Sequence, residues 1–234
     1  MTPERLLTVW EQGTQRHPVD RALLLFSLAR PEAPAERLAD LPLGTRNAAL
    51  MELQSAYFGA RLPSWLDCPA CGERMEFELD AAQLPPIEAE IVDSIEVGGH
   101  RFQRPTSRHL ARLASCNDEP EIAARQLLLD CAQAADVLPQ DEASLAELLQ
   151  HAETAIEAAD PWINIALDVC CPACGQKDVA DFDIASYLWN EIEQRARRLL
   201  DEIHALAQAY GWAETDILAL SETRRAAYLA KVQA

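Results

Sequence analysis

The chain has 234 residues, 49% hydrophobic and 25% charged, proportions ordinary for a folded globular protein and long enough to bury a sizeable core. With 20 Lys+Arg against 38 Asp+Glu the formal net charge is −18, which repels phosphate backbones and argues against nucleic acid as the main partner. The longest apolar runs, such as Ala22-Leu23-Leu24-Leu25-Phe26, fall far short of the roughly 20 residues of a membrane-spanning helix, and MTPERLLTVWEQGTQRHP lacks the apolar core of a signal peptide, so a soluble cytoplasmic protein is expected.

The first sixty residues read as helices. Thr2-Pro3-Glu4 is a helix start, with Thr2 as cap and Pro3 where its missing N–H costs nothing. Leu6, Leu7, Val9 and Trp10 supply the apolar face. A second helix from Pro18 carries Val19, Ala22, Leu23, Phe26 and Leu28 and ends before Pro31. A third follows Leu41-Pro42-Leu43-Gly44-Thr45-Arg46, with Ala49, Leu50, Leu53, Tyr57 and Phe58 at helical spacing and Gly59 as its stop.

Beyond Ser64-Trp65-Leu66-Asp67 the texture changes. Met75-Glu76-Phe77-Glu78-Leu79-Asp80 alternates with the period of a half-buried strand. Ile87-Glu88-Ala89-Glu90-Ile91 is a further strand candidate. Ser94-Ile95-Glu96-Val97 and His100-Arg101-Phe102 flank Gly98-Gly99, a two-residue hairpin turn. Residues 106–158 return to helical pattern in about three segments, broken near Asn117–Pro120 and Pro139–Glu142. Residues 107–160 hold three arginines and eleven acids, a solvated helical face or a docking surface for a basic partner. A strand is expected over Trp162–Val169, and alternation resumes at Val179–Ile184. One long helix then runs from about Ala185 to Tyr210 through Leu188, Ile192, Ala196, Leu199, Ile203 and Leu206, with Gly211 as its stop. Two short helices follow, divided at Ser221, a good N-cap.

The pentapeptide CPACG occurs at 68–72 and again at 171–175, each time between strand-like segments. In C-x2-C a tight turn presents two sulfurs to one ion, and two such turns make a tetrahedral four-thiolate zinc site. Cys68, Cys71, Cys171 and Cys174 are therefore the expected ligands of one structural Zn2+, with no coordination position left open for catalysis. The 99 residues between the knuckles exceed the roughly 15–20 of a compact zinc ribbon, so the intervening segment reads as an insertion. A thiol-disulfide switch is the competing use of C-x-x-C. Cys170 is a spare thiol, read as a buried strand residue or a replacement ligand. Cys116 and Cys131 read as small core hydrophobes. No nucleophile, phosphate-loop or dinucleotide motif occurs, and His17, His100, His109, His151 and His204 are scattered singly, so no enzyme activity is expected.

These readings give an α+β, mostly helical chain with a small zinc-ribbon-like β module built from the two knuckles around a helical insertion. The expected segments are a helical region (1–62), the first half of the β module (63–106), the acidic helical insertion (107–160), the second half of the module (161–184) and a C-terminal helical region (185–234).

The segments Leu41-Pro42-Leu43-Gly44-Thr45-Arg46-Asn47-Ala48-Ala49-Leu50, Tyr57-Phe58-Gly59-Ala60-Arg61-Leu62 and Cys68-Pro69-Ala70-Cys71-Gly72-Glu73-Arg74-Met75-Glu76-Phe77 resemble the front half of the T-even-type baseplate hub assembly chaperones. These are found in contractile phage tails and phage-tail-like contractile injection systems. Leu188-Trp189-Asn190-Glu191-Ile192, Ala209-Tyr210-Gly211-Trp212, Ile217-Leu218-Ala219-Leu220-Ser221 and Arg224-Arg225-Ala226-Ala227-Tyr228-Leu229 resemble that family's C-terminal segment. The resemblance covers most of the chain and is weakest over the acidic insertion. It implies a non-catalytic assembly chaperone or minor baseplate component acting with hub, spike or tape-measure proteins, in the bacterial cytoplasm or incorporated in the particle. It also carries Cys68, Cys71, Cys171 and Cys174 over as the metal ligands. Trp212, Leu218, Leu220 and Tyr228 are the candidate partner-binding residues, since aromatic anchors dominate interface energy; packing on the long helix before them is the alternative. A zinc-ribbon nucleic-acid or transcription-associated protein is the other reading of the knuckles, opposed by their acidic neighbours Glu73, Glu76, Glu78, Asp80, Asp181 and Asp183.

Overall fold

The computed structural model describes residues 1–84, 94–115, 119–133 and 137–232; the expected strand at Ile87–Ile91 and Cys116 lie outside them. The chain is α+β and mostly helical, with three two-stranded antiparallel hairpins among the described residues. No helix among the described residues is long and apolar enough to cross a membrane. There are two compact units, one of Met1–Leu24 with Ser186–Ala234, the other of Leu25–Ala185. Segment 1–62 thus contributes to both units, and 63–184 lies within the second.

In the first unit α1 (Pro3–Gly13) starts as its sequence requires. Thr2 Oγ1 accepts the Arg5 N–H at 3.2 Å, and Pro3 occupies the first turn. Its far end is closed by Arg21, whose Nε and Nη2 donate to the Gly13 and Thr14 carbonyls at 2.9 and 2.8 Å. The same guanidinium lies 4.8 Å from the Trp189 ring. Gly13 has to be glycine, because a Cβ there would stand 2.3 Å from that ring. The unit also holds the start of α2 (Pro18–Ala29), most of α8 (Ile184–Tyr210), α9 (Glu214–Leu218) and α10 (Glu222–Val232). The apolar positions expected along the long helix, Leu188, Ile192, Ala196, Leu199, Ile203 and Leu206, are all buried.

The second unit contains α3 (Ala35–Leu38), a single turn with no strong periodicity in its sequence, and α4 (Leu43–Phe58). Gly59 ends α4 at φ 102°. Tyr57, expected on the apolar face of α4, is 46% exposed; the buried stripe stops at Gln54. The strands are β1 (Arg61–Asp67) with β2 (Arg74–Asp80), β3 (Ser94–Val97) with β4 (His100–Gln103), and β5 (Ile165–Cys170) with β6 (Lys177–Phe182). Gly98 and Gly99, both at positive φ, make the β3–β4 turn. The helices between the cysteine hairpins are α5 (Ser107–Ala114), α6 (Pro120–Cys131) and α7 (Glu142–Ala159). Their core joins Phe102, Cys131, Leu148, Leu149, Ala152 and Ile156. Cys131 is a core hydrophobe as expected, its thiol pushed up to about 12 by burial and by Asp130 beside it. His109 is buried and accepts the Thr106 backbone N–H at 3.0 Å; burial and then Arg112 hold its imidazole below the ordinary range. The expected strand at Trp162–Val169 begins only at Ile165, because Trp162 and Ile163 belong to the turn after α7, where the Ile163 N–H bonds the Asp160 carbonyl at 3.0 Å.

A buried polar clasp ties the start of α4 to the end of α7. Pro42 precedes α4 and caps nothing, and Asp160 takes over that task, its Oδ2 accepting the Gly44 N–H at 3.2 Å. Arg104 Nη1 stands 3.6 Å from the same carboxylate, both side chains 6% exposed. Burial raises the Asp160 carboxyl against the opposing pull of Arg104 and the Gly44 and Trp162 N–H groups. Arg46 donates to Asn47 Oδ1 and Ser107 Oγ, and Asn47 Nδ2 to the Trp162 carbonyl at 2.9 Å. A Cβ on Gly44 would lie 1.6 Å from Asp160 Oδ1. Asp160→Ala is expected to cost about 3 kcal/mol, because it leaves Arg104 buried without a counter-charge. Gly44→Ala should destabilise the natural chain strongly and add little on top of Asp160→Ala. Urea unfolding of the two single variants and the double variant measures this; additive losses would separate the two residues.

Candidate metal centre and aromatic cluster

Each knuckle closes by the same two backbone bonds. The Cys68 N–H donates to the Glu73 carbonyl at 2.9 Å and the Gly72 N–H to the Cys68 carbonyl at 2.8 Å; Cys171 to Gln176 and Gly175 to Cys171 repeat them at 2.8 and 2.9 Å. Gly72 and Gly175 both sit at φ 74°, a conformation that side chains with a Cβ rarely adopt. The likeness runs well past CPACG at a constant offset of 103 residues. Leu62 and Ile165 are buried at equivalent points, pairing with Leu79 and Phe182. Leu66 and Val169 both pack on the small core of Cys68, Met75 and Cys171. Asp80 Oδ1 accepts the Ala82 N–H and Asp183 Oδ1 the Ala185 N–H, each at 2.9 Å. Strand, knuckle, strand and closing Asx turn are thus one unit present twice.

The two copies bring four sulfurs together. Cys68, Cys71, Cys171 and Cys174 Sγ all lie within 4.8 Å of one another, with Cys68–Cys174 and Cys71–Cys171 at 3.7 Å. Four thiolates about 2.3 Å from a central ion in a tetrahedron stand about 3.8 Å apart. The site therefore has the size of a single metal ion. The first cysteine of each knuckle is buried and the second exposed. The thiols do not ionise alike. The Cys174 and Ala173 N–H groups draw Cys171 below its ordinary value despite burial. At Cys71 the Glu73 N–H favours the thiolate, but the crowding thiols Cys174, Cys171 and Cys68 outweigh it and push the group up. Four like groups at this spacing cannot all carry charge without a cation among them.

Cys170, expected to be buried, is exposed. It is the last residue of β5, where alternation turns Val169 inward and Cys170 outward; its Sγ lies 3.8 Å from the Gly175 carbonyl, and it is outside the four-sulfur group.

The C-terminal candidates form a cluster of their own. Gly211 at φ 68° turns the chain sharply after α8, so Trp212 stacks on Tyr210 at 4.7 Å. Tyr228 on α10 meets both rings edge-on, at 5.7 and 4.9 Å. Arg225 on the same helix is buried, donating to Glu202 Oε2 and the Leu220 carbonyl, each at 3.0 Å. Trp212, Leu218, Leu220 and Tyr228 are all half-buried. Sequence reading missed the Asp160–Arg104 clasp and the extent of the duplication; setting 62–82 above 165–185 would have exposed the second, while the first has no local signal.

Comparison with protein-family models, with curated proteins and with solved structures found no match.

Purified chain should carry one metal ion by elemental analysis. Replacing Cys68, Cys71, Cys171 or Cys174 with Ser should remove it, and Cys170→Ser should leave the content unchanged. Equal loss in Cys170→Ser would place that thiol among the ligands.

Proposed function

We propose that this chain is a non-catalytic assembly chaperone or minor baseplate component of a contractile phage tail or contractile injection system, binding hub, spike or tape-measure proteins, and that its four cysteines hold one structural Zn2+. The metal reading follows from the donor set: four soft thiolates at tetrahedral spacing suit Zn2+ and leave no open position for a reacting water. Cys68 and Cys171 would anchor the ion from the buried side and Cys71 and Cys174 close it from the exposed side.

The assembly reading rests on the residues that carry the resemblance. The observation that supports it most is that they form local units with a physical purpose. In the Leu41–Asn47 stretch, Gly44 leaves room for Asp160, and Arg46 and Asn47 are buried in the clasp. In the C-terminal stretch, Tyr210, Trp212 and Tyr228 make an aromatic cluster at the Gly211 turn, and Arg225 is buried on Glu202 and the Leu220 carbonyl. Such a cluster presents half-buried aromatic side chains, the kind of surface that anchors a protein partner.

Co-expression with the hub, spike and tape-measure proteins of the same contractile system is the test. A stable complex with one of them by size exclusion and mass measurement is expected, together with loss of complete particles by electron microscopy when the gene is deleted. Normal particles from the deletion strain and no complex with any of the three would reject the reading.

A further inference from the structure

The duplicated hairpins provide an internal control for which side chains the β module needs. At one register of the outward face they differ completely. Trp65 stands opposite Glu76 in the first hairpin, and Asp168 opposite Val179 in the second. The second hairpin keeps the same strand pairing and knuckle with an acid in place of Trp65 and a valine in place of Glu76, so folding does not call for an indole at the first position or a carboxylate at the second. Trp65 is 59% exposed, which leaves a large aromatic surface of this face open to a ligand.

The surroundings of the ring specify a ligand. Arg74 lies with its guanidinium 4.0 Å from the ring centroid, a cation–π contact made from the chain's own side. With Arg74 in place more than half of Trp65 is still open to solvent. Beside it is an open recess of about 370 Å³ lined by Pro63, Ser64, Trp65, Glu76 and Phe77. The other charges of this face are already matched, Arg61 with Glu78 at 3.6 Å and Arg74 with Asp67 at 3.3 Å. Among the described residues the Glu76 carboxylate has neither ion pair nor hydrogen bond. An aromatic face next to an unmatched carboxylate, on a chain of net charge −18, is complementary to a cation and repels an anion.

We infer that the outer face of the first cysteine hairpin, centred on Trp65 and Glu76, docks an arginine-bearing extended segment of a protein partner, one guanidinium lying between the indole and the carboxylate. Arginine fits better than lysine, since its planar fork stacks on a ring and bonds a carboxylate at once. A second arginine two residues along an extended segment comes back to the same face. This surface does not depend on what particle the chain serves.

The test uses the full metal-loaded chain in 150 mM salt, where diffuse attraction to an acidic protein is screened. The probes are labelled nine-residue peptides alternating serine with arginine, with lysine or with glutamate. Binding is read by fluorescence anisotropy, and the location by the shift of the Trp65 indole N–H resonance, assigned through Trp65→Phe. The arginine peptide should move that resonance saturably and bind more tightly than the lysine peptide, with no binding of the glutamate peptide. Trp65→Asp and Glu76→Gln should each weaken binding more than fivefold with metal content unchanged, and Asp168→Asn should not. A loss of fivefold or less in either of the first two, or an equal loss in Asp168→Asn, would show general attraction to an acidic surface and overturn the assignment. Self-association of the natural chain that Trp65→Asp abolishes would put a second copy on this face and overturn it as well.

Discussion

The meeting of four sulfurs across an interval of 103 residues is the constraint on which the β module depends. Each cysteine hairpin is a separate two-stranded sheet, a structure that is marginal in water by itself. What the knuckles share besides the sulfurs is a small core of Cys68, Met75 and Cys171 flanked by Leu66 and Val169. Closing a loop of about a hundred residues costs on the order of 4 kcal/mol in chain entropy. Binding of Zn2+ to four-thiolate sites is worth about 10–16 kcal/mol. The second figure exceeds the first with room to spare, so an ion can hold the hairpins together despite the long insertion. The insertion meanwhile has its own core around Phe102 and Ile156, and this shortens the effective loop.

The long interval explains what could and could not be read from the chain. Signals confined to a few residues were legible: Thr2 and Pro3 at a helix start, Gly59 and Gly211 at helix ends, Gly98-Gly99 in a hairpin, Ser221 between the last two helices. Each acts through its own backbone or a neighbour within one turn, as the Ser221 hydroxyl does in accepting the Arg224 N–H. The zinc-type knuckles were legible too, because the C-x2-C spacing and the following glycine encode a turn that is complete in itself. Their pairing was inferred from chemistry, since nothing local in either knuckle names its partner.

What escaped were residues whose role is set by something distant. Asp160 directly follows α7 and caps another helix, accepting from Gly44 116 positions away. Arg104 and Arg46 carry no local sign of burial and are buried in the same clasp. Cys170 looked like a core residue because its neighbours on both sides are apolar or thiol. Strand alternation decides otherwise, and its phase is set by Leu62-type positions at the other end of the hairpin. Tyr57 shows the helical counterpart: it is in phase with Leu50 and Leu53, but burial along that helix ends at Gln54.

The duplication turns these observations into an argument about use. Where the two hairpins agree, as at the knuckle glycines, the closing aspartates and the inward apolar row, the fold itself supplies the reason. Where they disagree, folding has been satisfied both ways, and the difference calls for another explanation. Met75 against Asp178 is one such place, and burial accounts for it, since Met75 packs into the shared core while Asp178 is exposed. Trp65 against Asp168 is another, and burial does not account for it, because both lie on the outward face. An exposed indole beside an unmatched carboxylate is open to a ligand, and its chemistry selects a cationic, planar group. The net charge of −18 raises the local concentration of the cationic partner that such a site would hold.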